Sequence, residues 1–309
     1  MRLALEALGT FQDVGAYNGS GDAREAPVGR FTGKVALITG STQGVGEAVA
    51  RRLTNEGAAG IVVSGRNRER GETVARDLSR AGAPAVFVPV ELGDADSCRA
   101  LVAAADERFG RIDVLVNAAA LTLRGSIVDT SLELWDMMMN VNLRAPFLLM
   151  QETIAIMRRE GNGGSVVNVG SVASHGGAPI LMPYSASKAA LAAMTKNVAY
   201  AVAWEGIRVN CINPGWMDTP GEDTIQRRFH SDGRDWLDDA EAGMPFGQLI
   251  KPDEVAAASA FLASDESGVM NGSIVDYDQS ILGARQAAVT SREHVALDLS
   301  ASPWGRPTW

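Results

Sequence analysis

Cysteine and histidine are scarce, with two and three in 309 residues, too little material for a disulfide framework or a clustered metal site. Cys98 falls in a helical stretch and Cys211 in a strand-like one, so both read as buried thiols. His175, His230 and His294 are too scattered to suggest a zinc site, and no metal is expected. No apolar run approaches the ~18 residues of a membrane-crossing helix. The opening Met1-Arg2-Leu3-Ala4-Leu5-Glu6 lacks a sustained apolar core and carries an early acid, unlike a secretory signal. A cytoplasmic location with no membrane partner is therefore expected. Positive charge is also in deficit, with 28 Lys and Arg against 37 Asp and Glu, a net charge of −9. An acidic surface repels phosphate backbones, so no nucleic-acid partner is expected.

What remains is an ordinary globular composition, 46% hydrophobic and 21% charged. Apolar β-rich runs near Val35–Ile38, Ile61–Ser64, Ala85–Val90, Val114–Val116, Val166–Val169, Val209–Ile212 and Ser273–Asp276 alternate with helical stretches. Those stretches lie near Glu47–Asn55, Arg68–Ala81, Asp96–Phe109, Leu132–Arg158, Ser187–Trp204 and Asp253–Leu262. Such alternation predicts an α/β fold: a doubly wound parallel β-sheet of about seven strands with helices on both faces. Continuous apolar runs fit strands covered on both sides. One catalytic domain is expected over 31–285. The glycine-bearing 1–30 reads as a flexible extension, and 286–309, with Trp304 and Trp309, as a tail.

Two constellations carry chemistry. In Tyr184-Ser185-Ala186-Ser187-Lys188, a helix would set Tyr184 and Lys188 one turn apart on one face. A phenol with a pKa of about 10 exchanges protons poorly near neutrality, but a nearby ammonium favours the phenolate. Ser171, thirteen positions upstream, could hold a substrate oxygen at the same point. The plainer reading is a surface Tyr and Lys on an amphipathic helix. Thr39-Gly40-Ser41-Thr42-Gln43-Gly44-Val45-Gly46 follows the strand Val35–Ile38 and precedes helically spaced Ala48, Val49, Ala50 and Leu53. Its glycines permit close approach to a pyrophosphate, and the helix N-terminus offers free N–H groups. A purely structural turn is the alternative.

Taken together, the TGxxxGxG turn, mid-chain Ser171 and Tyr184-x3-Lys188 resemble the classical short-chain dehydrogenase/reductase family, from about Gly33 to Gly283. Further matches are Asn117-Ala118-Ala119-Ala120, where the family usually has NNAG, Asn142 in Val141-Asn142-Leu143, and Pro214-Gly215 followed by Thr219. The resemblance implies a Rossmann fold and an NAD(P)-dependent oxidoreductase interconverting a secondary alcohol and a ketone or aldehyde. It implies Asn142, Ser171, Tyr184 and Lys188 as catalytic residues, with Asn142 holding a water that links Lys188 to solvent. Cofactor contacts are expected from Gly40, Gln43, Gly44, Val45, Gly46, Arg66, Glu91, Leu92, Asn117, Tyr184, Lys188, Met217 and Thr219. A homotetramer or homodimer packed through 132–158 and 187–204 is implied as well.

Gly65 ends the second strand where an NAD site usually places a carboxylate, and Arg66 follows, which favours NADP, with NAD as the alternative. Gln43 stands where many NADP-preferring relatives carry a basic residue. The substrate lid, about 216–248, is polar: Glu222, Asp223, Arg227, Arg228, His230, Arg234 and Asp235. That favours a sugar, polyol or keto acid, unless the charges only form a solvated face. His175, Met182, Trp216 and Met217 are expected to wall the site. The alternatives are a catalytically silent cofactor sensor, a 3-oxoacyl-type carbonyl reductase, and an epimerase or enoyl reductase; in enoyl reductases the lysine lies farther from the tyrosine.

Overall fold

The apolar runs do find cover on both sides. The computed structural model describes residues 29–229 and 235–280. Most of the expected extension, the tail with Trp304 and Trp309, and His230, Arg234 and His294 lie outside the described residues. Seven strands, β1 (Val35–Thr39), β2 (Gly60–Gly65), β3 (Ala85–Pro89), β4 (Val114–Asn117), β5 (Gly164–Val169), β6 (Ile207–Pro214) and β7 (Ile274–Tyr277), form one sheet. Its order is β3-β2-β1-β4-β5-β6-β7, and every neighbouring pair is parallel.

The helices are α1 (Gly44–Asn55), α2 (Arg68–Arg80), α3 (Ala95–Phe109), α4 (Leu132–Met139), α5 (Ala145–Glu160), α6 (Met182–Val202), α7 (Pro220–Phe229), α8 (Trp236–Ala242) and α9 (Pro252–Ala263). Alternate strand residues serve opposite layers, as the two-residue period of a strand requires. Ala36, Ile38, Ile61, Val63, Val114 and Val116 pack with Val49 and Leu53 of α1, Leu78 of α2 and Leu262 of α9. Leu37, Val62, Leu115 and Val166 pack with Leu101 of α3, Leu149 of α5 and Val202 of α6. The order in which strands are added to the sheet reverses between β1 and β4, which opens a crevice at the C-terminal ends of those strands.

One expectation needs correction. The helix expected over Leu132–Arg158 is α4 and α5 joined by a π-helical turn at Asn140–Arg144. Pro146 has no N–H to offer the Asn142 carbonyl four residues earlier, so the regular ladder cannot pass through this point. The lid expected as a polar segment contains two helices, α7 and α8. Its base is tied to the body, because Ile250 N–H donates to the Trp216 carbonyl at 3.1 Å and Asp218 N–H to the Ile250 carbonyl at 3.0 Å.

A buried polar chain crosses the middle of the sheet. Asn117 Nδ2 donates to Asn168 Oδ1 at 2.8 Å, Asn168 Nδ2 donates to Thr195 Oγ1 at 2.9 Å, and Thr195 Oγ1 donates to the Leu191 carbonyl at 2.8 Å. These three side chains are at most 2% exposed, so water cannot replace a lost partner. Replacing Asn168 by Leu is expected to destabilise the protein by about 3 kcal/mol, because it strands two buried polar groups. Urea unfolding would show this as a lowered midpoint with an unchanged slope.

Candidate active site

The turn after β1 is built by close backbone contact. Gly40 has φ +66°, and a Cβ on it would lie 2.8 Å from Ala119 Cα. A Cβ on Gly46 would meet the Gly40 carbonyl oxygen at 2.6 Å. The second contact is therefore between α1 and its own turn, and only glycine lets the helix start so near the strand end. Gln43 precedes α1 in extended conformation and makes no side-chain cap. The first-turn N–H groups of α1 thus face a cleft of about 1320 Å³ with no intrahelical acceptor. A cradle of this shape, at a helix N-terminus on the sheet's switch point, fits the pyrophosphate of a dinucleotide.

Gly40, Gln43, Gly44, Val45, Gly46, Arg66, Glu91, Leu92, Met217 and Thr219 all line this cleft, together with Ser171 and Tyr184. Asn117 does not join them. It is 2% exposed and turns its side chain into the sheet toward Asn168, so its place among the cofactor contacts is corrected to a support beneath them. Trp216 and Met217 are wall residues as expected, whereas His175 lies outside the wall and pairs with Asp276 at 2.9 Å. Met182 is not in the wall either; Ile180 and Leu181 are.

At the adenosine end, Asn67 caps α2 by accepting from Arg70 N–H at 2.9 Å. That cap sets Arg70 in the first turn of α2, where its Nη1 donates to Gln43 Oε1. Sequence reasoning missed Arg70 because it comes from the next element and not from the glycine turn. Its position three residues after a cap-forming asparagine was the available signal. A Cβ on Gly65 would lie 2.8 Å from Thr42 Cγ2, so Thr42 fills the space a carboxylate-bearing side chain would need.

The reacting end lies where β5 stops. Ser171 follows the strand in extended conformation, and its N–H donates to Asn213 Oδ1 at 3.1 Å. Asn213 is fixed in turn by donating from Nδ2 to Asp276 Oδ1 at 3.0 Å. Ser171 Oγ accepts from Ala173 N–H at 3.2 Å, which leaves the hydroxyl hydrogen to be donated into the cleft. Tyr184 and Lys188 lie in the first turns of α6, as the helical spacing requires. Lys188 is 2% exposed; its Nζ donates to the Val169 carbonyl at 2.7 Å and sits 5.8 Å from the Tyr184 ring centre.

Desolvation governs both groups. Burial pushes the Tyr184 hydroxyl up to about 12, against a hydrogen bond from Ser171 that pulls it down. The Tyr184 side chain as a whole is half-buried on the cleft wall. Burial also lowers the Lys188 ammonium to about 8. Lys188 directs its ammonium at the Val169 carbonyl, and the phenol is governed by its own burial, with Ser171, Glu222 and Arg124 as the smaller influences. Asn142 is 1% exposed and its side chain is committed elsewhere. Its Oδ1 accepts from Leu121 N–H at 2.8 Å, while Nδ2 donates to the Leu121 carbonyl at 2.9 Å and to Ser187 Oγ at 3.1 Å.

The sequence matches a family described as enoyl-(acyl carrier protein) reductase over residues 40–279. It is 34% identical over 255 residues to the 3-oxoacyl-[acyl-carrier-protein] reductase of Thermotoga maritima, covering 82% of this chain and 99% of that protein. It is 35% identical over 267 residues to human dehydrogenase/reductase SDR family member 4, covering 83% and 89%. Among solved structures, an actinorhodin polyketide ketoreductase with NADPH superposes with a TM-score of 0.75 at 30% identity, covering 81% and 97%. Levodione reductase gives a TM-score of 0.75 at 31% identity with the same coverage.

The glycine turn generates a test. Because a side chain at position 46 strikes the backbone of Gly40 before it reaches any ligand, Gly46→Val should cost about 3 kcal/mol of stability by overpacking. Loss of dinucleotide binding should accompany that cost. Calorimetric melting alongside dinucleotide titration would check it, and weakened binding at an unchanged melting temperature would contradict it.

Proposed function

Since the chain belongs to the classical short-chain dehydrogenase/reductase family and is an NAD(P)-dependent oxidoreductase, we propose that it interconverts a ketone or aldehyde and the corresponding secondary alcohol, with Tyr184 exchanging the proton. The observation that carries this reading is the convergence of the Ser171 and Tyr184 hydroxyls on one cleft wall, with the Lys188 ammonium behind them. A bound reduced nicotinamide would supply the hydride. With substrate bound, Ser171 turns its hydroxyl hydrogen from Tyr184 to the carbonyl oxygen and orients it. Tyr184, held neutral by burial, donates its proton to the same oxygen as negative charge develops there. Lys188 stabilises the resulting phenolate from beneath the ring. The Asn142 side chain positions the segment at Leu121 against α6, and its main-chain carbonyl, denied an N–H by Pro146, is the atom suited to hold a water on the way to Lys188.

Support for the NADP preference comes from Gly65, the Thr42 methyl that fills the carboxylate's place, and two guanidiniums at the same corner, Arg66 and Arg70. The three-residue interval between Tyr184 and Lys188 favours carbonyl reduction over the enoyl chemistry in the matched family's description. A 3-oxoacyl substrate is the second reading, favoured by the Thermotoga relative. A homo-oligomer is inferred from large apolar groups left on the surface of α4 and at the end of α6, where Leu132, Tyr200 and Trp204 are 77%, 84% and 86% exposed. Two free, buried cysteines agree with a cytoplasmic setting. Among the described residues no helix is long and apolar enough to cross a membrane.

Tyr184→Phe keeps the ring and removes the transferable proton, so turnover should fall by roughly 10²–10⁴-fold. Lys188 is charged below about 8 and neutral above it, whereas Tyr184 stays protonated across that range. Carbonyl reduction should therefore decline as pH rises through about 8, and Lys188→Arg should move that limb upward. A pH profile of kcat/KM with both variants tests the assignment, and near-normal turnover in folded Tyr184→Phe would sink it. For the cofactor, the Arg66→Ala, Arg70→Ala double variant should lower the kcat/KM ratio of NADPH to NADH by roughly tenfold or more. A ratio that does not move would place the phosphate elsewhere.

A further inference from the structure

The cleft contains a partly buried ion pair that the proton transfer does not use. Arg124 lies in the segment after β4 and Glu222 in the first turn of α7, and both line the cleft with Ser171 and Tyr184. Each side chain is 16% exposed, and their closest approach is 3.5 Å. The main chain at Arg124 is fixed beside the catalytic helix. The next residue, Gly125, donates its N–H to the Ile180 carbonyl at 2.9 Å and accepts from Met182 N–H at 3.1 Å, just ahead of Tyr184. Arg124 also donates from Nη1 to the Thr122 carbonyl at 3.1 Å.

Glu222 is held mainly by other groups. Its Oε1 accepts from Gln226 Nε2 at 2.7 Å and from Trp216 Nε1 at 3.0 Å, both shorter than the approach from Arg124. A guanidinium grips a carboxylate best through two parallel bonds of roughly 2.7–2.9 Å. The pair seen here has neither that length nor that geometry. Arg124 is thus a cleft cation whose carboxylate partner belongs to the lid and is secured there without it.

We propose that Arg124 determines substrate specificity by receiving a carboxylate on the same molecule as the reacting carbonyl, so that the substrate is an oxo acid and the product its hydroxy acid. The inference rests on the carbonyl-reductase reading above and names its substrate class. Glu222 neutralises Arg124 at the cleft wall and competes with the incoming carboxylate. It keeps Gln226 and Trp216 as partners when that carboxylate takes its place. The charges of Arg124 and Glu222 act in opposite directions on the Tyr184 hydroxyl, which sets both within electrostatic reach of the reacting atoms.

The test compares 2-oxo-, 3-oxo- and 4-oxopentanoate, each against its methyl ester, with the full chain and NADPH or NADH. The native enzyme should prefer at least one acid over its ester, and Arg124→Met should lower that kcat/KM ratio by roughly 10²-fold. Glu222→Gln keeps an acceptor for Trp216 and Gln226 while removing the competing charge, so it should raise the ratio. If the pair is only a lid latch, Glu222→Gln will lower acid and ester turnover together and Arg124→Met will leave the ratio unmoved; that result overturns the proposal. Turnover of esters with no preference for any acid also overturns it, while leaving the carbonyl-reductase reading intact. If neither acids nor esters are turned over, that reading fails, and calorimetric titration of the acids into the NADP-loaded protein decides the site. Binding that is lost in Arg124→Met sustains the carboxylate site, and no binding by the native protein removes it.

Discussion

A charged ammonium with almost no access to water is the constraint around which the reacting end is arranged. Lys188 is 2% exposed, and its Nζ has the Val169 carbonyl as a partner at 2.7 Å. A buried charge with a neutral partner is unfavourable for folding, which is why burial lowers its pKa to about 8. Because its folded pKa lies below the ordinary lysine value, this contribution to stability is least favourable below pH about 8 and improves as pH rises from there toward 10.5. The protein tolerates that cost because β5 and α6 are locked by contacts that do not involve Lys188. Ser171, Asn213 and Asp276 form one hydrogen-bonded run, and Asn117, Asn168 and Thr195 form another.

The same buried setting explains why the phenol and the ammonium move in opposite directions. Desolvation penalises the charged form of each, raising Tyr184 and lowering Lys188. Across neutral pH the result is a neutral acid facing the cleft and a cation behind it. That is the arrangement needed to deliver a proton and then hold the negative charge left on the donor. Local helical spacing brings the two residues together, but the sheet end at Val169 determines where the ammonium points.

The strand cores and the order of βαβ units were legible in the sequence because a strand buried on both faces must be apolar throughout, as in Val35–Ile38 and Val166–Val169. Tyr184 and Lys188 were legible because four residues make one helical turn. Features that depend on a single backbone break were read less well. Pro146 marks the place where the long helix expected over Leu132–Arg158 gives way to a π-helical turn, yet the apolar periodicity on either side hides it. Asn117 was placed with the cofactor because it opens the stretch that matches the family's NNAG motif, but strand alternation turns its side chain toward Asn168, away from the cleft that Ala118, Ala119 and Ala120 line. Arg70 and Arg124 were missed as site residues. Each reaches the cleft from an element whose placement is tertiary, α2 in one case and the Gly125 clamp in the other.

Thr219 connects the two ends of the cleft. Its Cγ2 lies 3.9 Å from the place a Cβ on Gly44 would occupy, so the space left by that glycine opens directly onto it. Its Oγ1 accepts from the N–H of Glu222 at 3.1 Å, and so caps the start of α7. Through Glu222 the helix reaches Arg124, and through Asp223 it holds Trp236 of α8, whose Nε1 donates at 2.9 Å. Trp216 and Trp236 stack with ring centres 6.0 Å apart, which makes the two lid helices and the strand end a single packed unit. A dinucleotide seated on the glycine turn would therefore touch the residue that sets the start of α7. The start of α7 thus joins the glycine turn to Glu222 and, through it, to Arg124 at the reacting end.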